Sequence, residues 1–221
     1  MDALIRPARA WGVDMKDISF DDYSDWTKPR QKLEQLQMKC DYKTIIVDSI
    51  TSVGDVINRQ TLKMKAGTKT VDGKDKGVTV GGISVNSMED YKAEASAFQE
   101  MVALLKDIHK FHKVNVILIA HVIGARRPDD ANKSTHFSRI IVTGGQIISA
   151  KIPAYCSEVY HFDIEQSANV DREGTYGLLT VHTGNDFART SLPLERRINF
   201  GGDPLYDKWI KPAIELNRTT K

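Results

Sequence analysis

The 221-residue sequence is 41% hydrophobic and 27% charged, which fits one folded domain with a sizeable core and excludes a disordered or fibrous chain. The net charge of +2 is too small to indicate nucleic-acid binding from composition alone. Cys40 and Cys156 are too few for a disulfide framework, and no apolar run approaches the ~20 residues of a membrane span, so we expect a cytoplasmic protein.

The first predicted elements are helices. Residues 2–11 fit a short helix. A second helix is predicted over residues 28–38, with Asp25 or Thr27 as its cap and Pro29 in its first turn. These helices lead into the first apolar strand pattern.

Two apolar runs flank a long helix and predict the centre of the fold. KTIIVDS, residues 43–49, and KVNVILIAH, residues 113–121, have the composition of strands buried on both faces. Residues 61–87 are rich in Gly, Lys and Thr, which predicts a long loop with room for a small hairpin. An amphipathic helix beginning at Ser87 follows. Strands that alternate with helices predict an α/β fold with a mostly parallel sheet.

The second half of the chain is more polar. Residues 122–142 are predicted to be a second loop, and a helix is expected after the glycines of TGG. SEVYHFDIEQ and GTYGLLTVH alternate polar and apolar residues, which predicts two antiparallel strands. The last expected element is a closing helix interrupted by Pro212.

Polar residues stand at the carboxyl ends of the two central strands. Asp48 and Ser49 end the first strand, and His121 ends the second. Ligands of open parallel sheets bind at this edge, where a carboxylate can hold Mg²⁺ and a histidine can contact a terminal phosphate. Each residue alone also fits a structural role, Asp48 as a turn cap and His121 as a hydrogen-bonded strand end. Neighbouring strands would place both in one crevice.

In order and spacing, these pieces resemble the RecA-like recombinase ATPase core, in particular phage-type AAA ATPases, over residues 1–200, with 201–221 as a tail. YKTIIVDSITSV resembles the Walker B strand, and VNVILIAH resembles the sensor strand. The stretches 61–87 and 122–142 stand where the family has its two DNA-binding loops. LLTVHTGNDFARTSLP resembles the late hairpin region of the phage forms.

The resemblance implies a P-loop NTPase fold with antiparallel C-terminal strands, ATP and Mg²⁺ as cofactors, and a homo-oligomer in a bacterial or phage-infected host cytoplasm. Asp48 would help to hold Mg²⁺, with Ser49 beside it, and His121 would sense the γ-phosphate. Arg189 or Lys151 would complete a neighbouring subunit's site. The residues expected to contact single-stranded DNA are Lys63, Lys65, Lys69, Arg126 and Arg127.

The sequence departs from this family at the phosphate loop. It contains no GxxxxGK[ST] motif, and no residue can be matched to the family's catalytic glutamate. We therefore expect either a truncated protein, with its N-terminal strand and phosphate loop missing, or a loop supplied by a separate chain. Alone, the chain is expected to bind ATP weakly without hydrolysing it.

Three functions follow from these observations. The first is an ATP-binding phage ATPase acting on DNA in recombination, annealing or repair. The second is a non-catalytic single-stranded DNA-binding or recombination-mediator module. The third is an unrelated α/β nucleotide-binding fold, such as a small kinase, which the long basic stretch before a helix disfavours.

Overall fold

The structure is a computed structural model that describes residues 18–19, 21–67, 78–80, 83–85, 88–126, 137–141, 146–165, 175–183, 187–200 and 203–219. The helix predicted at residues 2–11 lies outside the described residues. None of the helices in this described part of the chain is both long enough and apolar enough to cross a bilayer.

The first helix, α1, spans Thr27–Met38, one residue longer than predicted. Trp26 occupies the N-cap position and makes no side-chain cap. Asp25, one of the two predicted caps, accepts a capping hydrogen bond from the backbone N–H of Lys28 at 3.3 Å, whereas Thr27, the other, is the first residue of the helix. Pro29 stands in the first turn, where the missing N–H costs the helix no internal hydrogen bond.

Two strands form the parallel sheet, β1 at Thr44–Asp48 and β4 at Asn115–Ile119. The prediction that both are buried on two faces is wrong. Ile45 and Val47 pack against the core, whereas Ile46 on the opposite face of β1 is 58% exposed. Within the described residues, helices cover only the inner face, so the strands alternate as half-covered strands do.

Helix α2 spans Ile50–Gly67 and helix α3 spans Met88–His112, between β1 and β4 in the chain. The predicted face of α3 forms the core, at positions spaced by three and four residues: Phe98, Met101, Leu105 and Ile108. Gly54 lets α2 approach this face closely. A Cβ there would lie 2.9 Å from Oε1 of the buried Glu94.

The prediction of a loop over residues 61–87 is wrong for its first residues, because α2 continues to Gly67. The residues Leu62 to Ala66 are mostly good helix formers, and this propensity outweighs the loop-like composition of the stretch as a whole. The small hairpin exists: β2 at Val78–Val80 pairs antiparallel with β3 at Ile83–Val85.

The second loop, predicted at residues 122–142, is wrong in part. Strand β5 at Val122–Arg126 pairs antiparallel with β6 at Phe137–Ile141. Each strand contributes β-branched residues, and Val122 lies opposite Ile141. The polar sequence between them hid this pairing, which depends on contacts between distant residues.

The remaining elements are helix α4 at Gln146–Tyr155, an antiparallel sheet and a C-terminal helix. The predicted strands are present as β7, His161–Glu165, and β8, Thr175–Leu179. A third strand, β9 at Arg197–Asn199, pairs with β8 and was not predicted, because three residues in a polar stretch carry little periodicity. The closing helix begins as a π-helical turn at Tyr206–Ile210 and continues as α5, Lys211–Thr219, so the prediction that Pro212 interrupts it is wrong.

Candidate functional site

The carboxyl ends of β1 and β4 meet at one edge of the parallel sheet. Asp48, the last residue of β1, lies opposite Ile119, the last residue of β4. His121 follows Ile119 by two residues, so the structure brings Asp48 and His121 to the same edge. Both residues are exposed, and the peptide bond after Asp48 is cis. A ligand at this edge therefore has access to a carboxylate and an imidazole.

Ser49 holds the beginning of α2 next to this edge. Its hydroxyl accepts a hydrogen bond from the backbone N–H of Ser52 at 3.2 Å and shares another with the Ser52 hydroxyl at 3.1 Å. Its carbonyl accepts the N–H of Val53 at 3.1 Å. Ser49 is thus a buried N-cap that fixes where the helix starts. Its predicted contact with the nucleotide stays a prediction.

Thr51 joins the two strand ends and was missed by the sequence analysis. The backbone N–H of His121 donates to Thr51 Oγ1 at 3.3 Å. This bond ties the chain leaving β4 to the first turn of α2, which itself follows Asp48. The separation of 70 residues between the partners is why no local sequence signal identified it.

The donor chemistry of this edge fits a magnesium ion held by few protein ligands. The described residues contain no group of three or more His, Cys, Asp or Glu side chains that could enclose a metal. Mg²⁺ usually keeps several waters and binds one or two carboxylates together with substrate phosphates. An exposed Asp48 carboxylate suits that arrangement, and the first turn of α2 carries no second acidic residue.

Arg189 and Lys151, the predicted contributors to a neighbouring site, lie around helix α4. The Arg189 backbone pairs with Val159 in both directions, at 2.8 and 2.9 Å. Its guanidinium donates to the carbonyls of Ala154, at 3.4 Å, and Cys156 at the end of α4. This cation therefore stabilises the carbonyl end of a helix. Lys151 is an exposed residue of α4.

A cluster formed by Glu158, Tyr160, Thr190 and Ser191 continues this contact. The Glu158 carboxylate accepts from the Ser191 N–H at 3.1 Å, the Ser191 hydroxyl at 2.5 Å and the Tyr160 hydroxyl at 3.1 Å. Partial burial raises the pKa of Glu158, but hydrogen bonds from Ser191, Thr190 and Tyr160 outweigh it, and the pKa lies below its ordinary value. These hydrogen bonds join residues 158–160 to residues 189–191.

The predicted DNA contacts are spread over several elements. Lys63 is an exposed residue of α2, and Lys65 lies near the end of the same helix. Arg126 is the last residue of β5, opposite Phe137. Lys69 and Arg127 lie outside the described residues. These five positions remain predictions for a DNA surface.

The fold and the strand-end geometry are consistent with a P-loop-like nucleotide-binding domain. A comparison with protein families matches residues 13–192 to the AAA domain, and the chain belongs to this family of AAA-type P-loop ATPases. No curated protein and no solved structure matches the chain. Family membership therefore supports ATP binding, while the biological process in which the chain acts is a matter for proposal.

Proposed function

We propose that this chain carries the magnesium-binding and sensor edge of a RecA-like, phage-type ATPase that acts on single-stranded DNA in recombination, annealing or repair. One observation carries the proposal. The two strands that resemble Walker B and the sensor strand are neighbours in parallel register, and Asp48 stands at their shared carboxyl edge. That edge is where open α/β sheets bind ligands.

Each residue of this edge has a distinct role in the proposal. Asp48 would hold Mg²⁺, which supplies positive charge that neutralises the phosphates of ATP. Ser49 and Thr51 position that carboxylate and His121, because they fix the start of α2 and join it to the end of β4. His121 would hydrogen-bond the γ-phosphate and transmit its presence to β5, which follows directly.

The phosphate-binding half of the site would come from outside these 221 residues, because the sequence contains no GxxxxGK[ST] motif. Backbone donors and a lysine normally bind the β- and γ-phosphates, and without them the chain should bind ATP weakly and not hydrolyse it. A homo-oligomer would add a basic residue from a neighbouring subunit, with Arg189 and Lys151 as the candidates.

The test compares Asp48→Asn with Asp55→Asn. Asp55 is an exposed carboxylate on α2 and serves as the matched control. Binding of a fluorescent ATP analogue to the purified chain is titrated with and without Mg²⁺. We expect Asp48→Asn to weaken magnesium-dependent binding about ten-fold or more, since even second-shell partners of metals contribute 10–100-fold. Asp55→Asn should bind like the wild type.

Two results would contradict this assignment. Magnesium dependence that is the same in Asp48→Asn and wild type would remove Asp48 from the metal site. ATP hydrolysis by the purified chain, abolished by Asp48→Asn, would show that the phosphate-binding half lies within these residues after all.

The missing motif also favours a second candidate, a non-catalytic single-stranded DNA-binding or recombination-mediator module. The two candidates predict different results when a second chain that contains a phosphate loop is added. An ATPase component should then hydrolyse ATP in a manner that depends on Asp48. A mediator should bind DNA equally well as wild type and as Asp48→Asn, with or without ATP.

A further inference from the structure

Three aromatic rings share one face of the C-terminal sheet formed by β7, β8 and β9. Phe162 on β7 lies opposite Leu178, and Tyr176 is two residues before Leu178 on β8. Ile198 on β9 is also opposite Leu178, and Phe200 follows two residues later. Because alternate residues of a strand face the same way, Phe162, Tyr176 and Phe200 belong to one face. We call these three residues the aromatic face.

The rings contact each other and remain open to solvent. The ring centroid of Phe200 lies 6.2 Å from that of Phe162 and 6.3 Å from that of Tyr176. Phe162 is 62% exposed and Tyr176 is 52% exposed, whereas Leu178 and Ile198 on the same face are buried. Buried aliphatic residues thus support a surface of accessible aromatic rings.

We propose that the aromatic face binds single-stranded nucleic acid by stacking bases on Phe162 and Tyr176, with Phe200 between them. The inference deepens the proposed function, on whose DNA-acting role it rests. Aromatic rings on an open sheet stack bases without reading sequence, because every base has a π-face.

The chain segment that contains β9 and the C-terminal helix is net basic, which suits a polyanionic partner. Residues 196–219 contain five basic and three acidic residues. Arg196, Lys211 and Arg218 are exposed. Cations that follow the backbone, combined with rings that stack bases, are the usual composition of a single-strand binding groove.

The face also supplies what the predicted DNA loops lack. Residues 61–87 contain no Phe, Tyr or Trp, and residues 122–142 contain only Phe137. Their cations can neutralise phosphates but offer little surface for base stacking. A DNA-acting chain therefore gains its base contacts from the C-terminal sheet.

The test measures binding of the full chain to a fluorescently labelled 20-nucleotide oligothymidine by anisotropy at low salt. Phe162→Leu keeps an apolar side chain and removes the π-face. We expect it to weaken binding roughly five-fold or more, the lower limit for the loss of one stacked base. Tyr176→Phe, which keeps the ring, should bind like the wild type, and Tyr176→Leu should not.

Phe111→Leu is the matched control, because Phe111 is 63% exposed but lies on α3, away from the sheet. A second arm uses an abasic strand of the same length. Wild type and Phe162→Leu should bind that strand equally, since the phosphates remain and the bases are gone. Circular dichroism melting verifies that each variant is folded.

Three outcomes would overturn the inference. If the wild type binds the oligothymidine and Phe162→Leu binds it equally, the aromatic face is not a base-stacking site, while the DNA role stands. If Phe162→Leu and Tyr176→Leu leave DNA affinity unchanged but dissociate an oligomer in sedimentation, the face joins two copies of the chain. If the wild type binds no single-stranded DNA, the DNA role and the aromatic face fail together, and nucleotide binding is tested separately through Asp48.

Discussion

The parallel sheet of β1 and β4 and the antiparallel sheet of β7, β8 and β9 expose their candidate functional side chains at different places. The parallel pair packs one face on the helices and places its polar chemistry at the strand ends, at Asp48 and near His121. Its outer face is aliphatic, with Ile46 and Ile117 exposed. The antiparallel sheet carries its accessible chemistry on a face, as the aromatic rings of Phe162 and Tyr176.

The two sheets are also stabilised differently. Around the parallel pair, apolar residues of α1, α2 and α3 form the core cluster. In the C-terminal region, polar contacts accompany the burial of Leu178 and Ile198: the Arg189 guanidinium binds the end of α4, and Glu158 accepts a hydrogen bond from Ser191. The stabilisation from apolar packing does not change with pH, whereas the stabilisation from a carboxylate that accepts hydrogen bonds is lost when the carboxylate is protonated. Three predictions test this contrast, beginning with the largest effect.

The largest effect is expected from truncating one buried side chain in each of the two regions. Phe98→Ala removes a ring that is 1% exposed between the helices, and Leu178→Ala removes a fully buried side chain of β8. We expect losses of about 3–5 kcal/mol and about 2–5 kcal/mol in the free energy of unfolding. Urea denaturation followed by circular dichroism and tryptophan fluorescence measures both.

The exposed Phe111→Ala serves as the control and should change stability by about 0.5 kcal/mol or less. If the two regions form one cooperative unit, each core variant shifts a single transition. Two separate transitions, each shifted by only one of the variants, would mean that the regions unfold independently.

A smaller effect is expected from the two faces of β1. Ile45→Ala removes packing against the core and should lower the free energy of unfolding by about 2 kcal/mol. This is the low end of the range for buried isoleucines, because Ile45 is only partly buried. Ile46→Ala changes the neighbouring side chain on the exposed face and should cost about 0.5 kcal/mol. Thermal and urea denaturation of the two variants gives the difference directly. Equal losses would mean that the outer face is covered in solution.

The smallest effect is expected from the Glu158 cluster, where Ser191→Ala and Glu158→Gln should each cost up to about 1 kcal/mol at neutral pH. The pKa of Glu158 is lower in the folded chain than its ordinary value. Its carboxylate therefore stabilises the fold above the unfolded pKa, and this contribution is lost as the pH falls through the folded pKa.

The measurement is the difference in melting temperature between wild type and Glu158→Gln across the acidic range. We expect the difference to be full at neutral pH and to shrink toward zero in acid. The exposed Glu195→Gln provides the control and should show no such convergence. A difference that stays constant with pH would remove the Glu158 carboxylate from the stabilisation of this region.

Local signals predicted the elements that dominate the parallel region. The 3.6-residue spacing of Phe98, Met101 and Leu105 identified α3, and β-branched runs identified β1 and β4. These patterns are local because a helix repeats its own contacts every turn and a buried strand needs continuous apolar residues. The order of these elements also predicted that Asp48 and His121 would share a sheet edge.

Two features could not be predicted locally, because each depends on a partner far along the chain. Thr51 gained its role only by meeting His121, and the β5–β6 pairing was hidden because each strand is stabilised by the other. The prediction for α2 beyond residue 61 was wrong for a local reason. The Gly- and Lys-rich composition of residues 61–87 indicated a loop, although the first residues of that stretch are helical.

The sequence by itself determined the class of fold, the strand-end carboxylate and the absence of a GxxxxGK[ST] motif, because each is written in contiguous residues. Only the tertiary structure decided which face of β1 is covered, that Arg189 binds the end of α4, and that Phe162, Tyr176 and Phe200 form one surface. Those three features depend on register and packing, which bring together residues that no spacing along the chain relates.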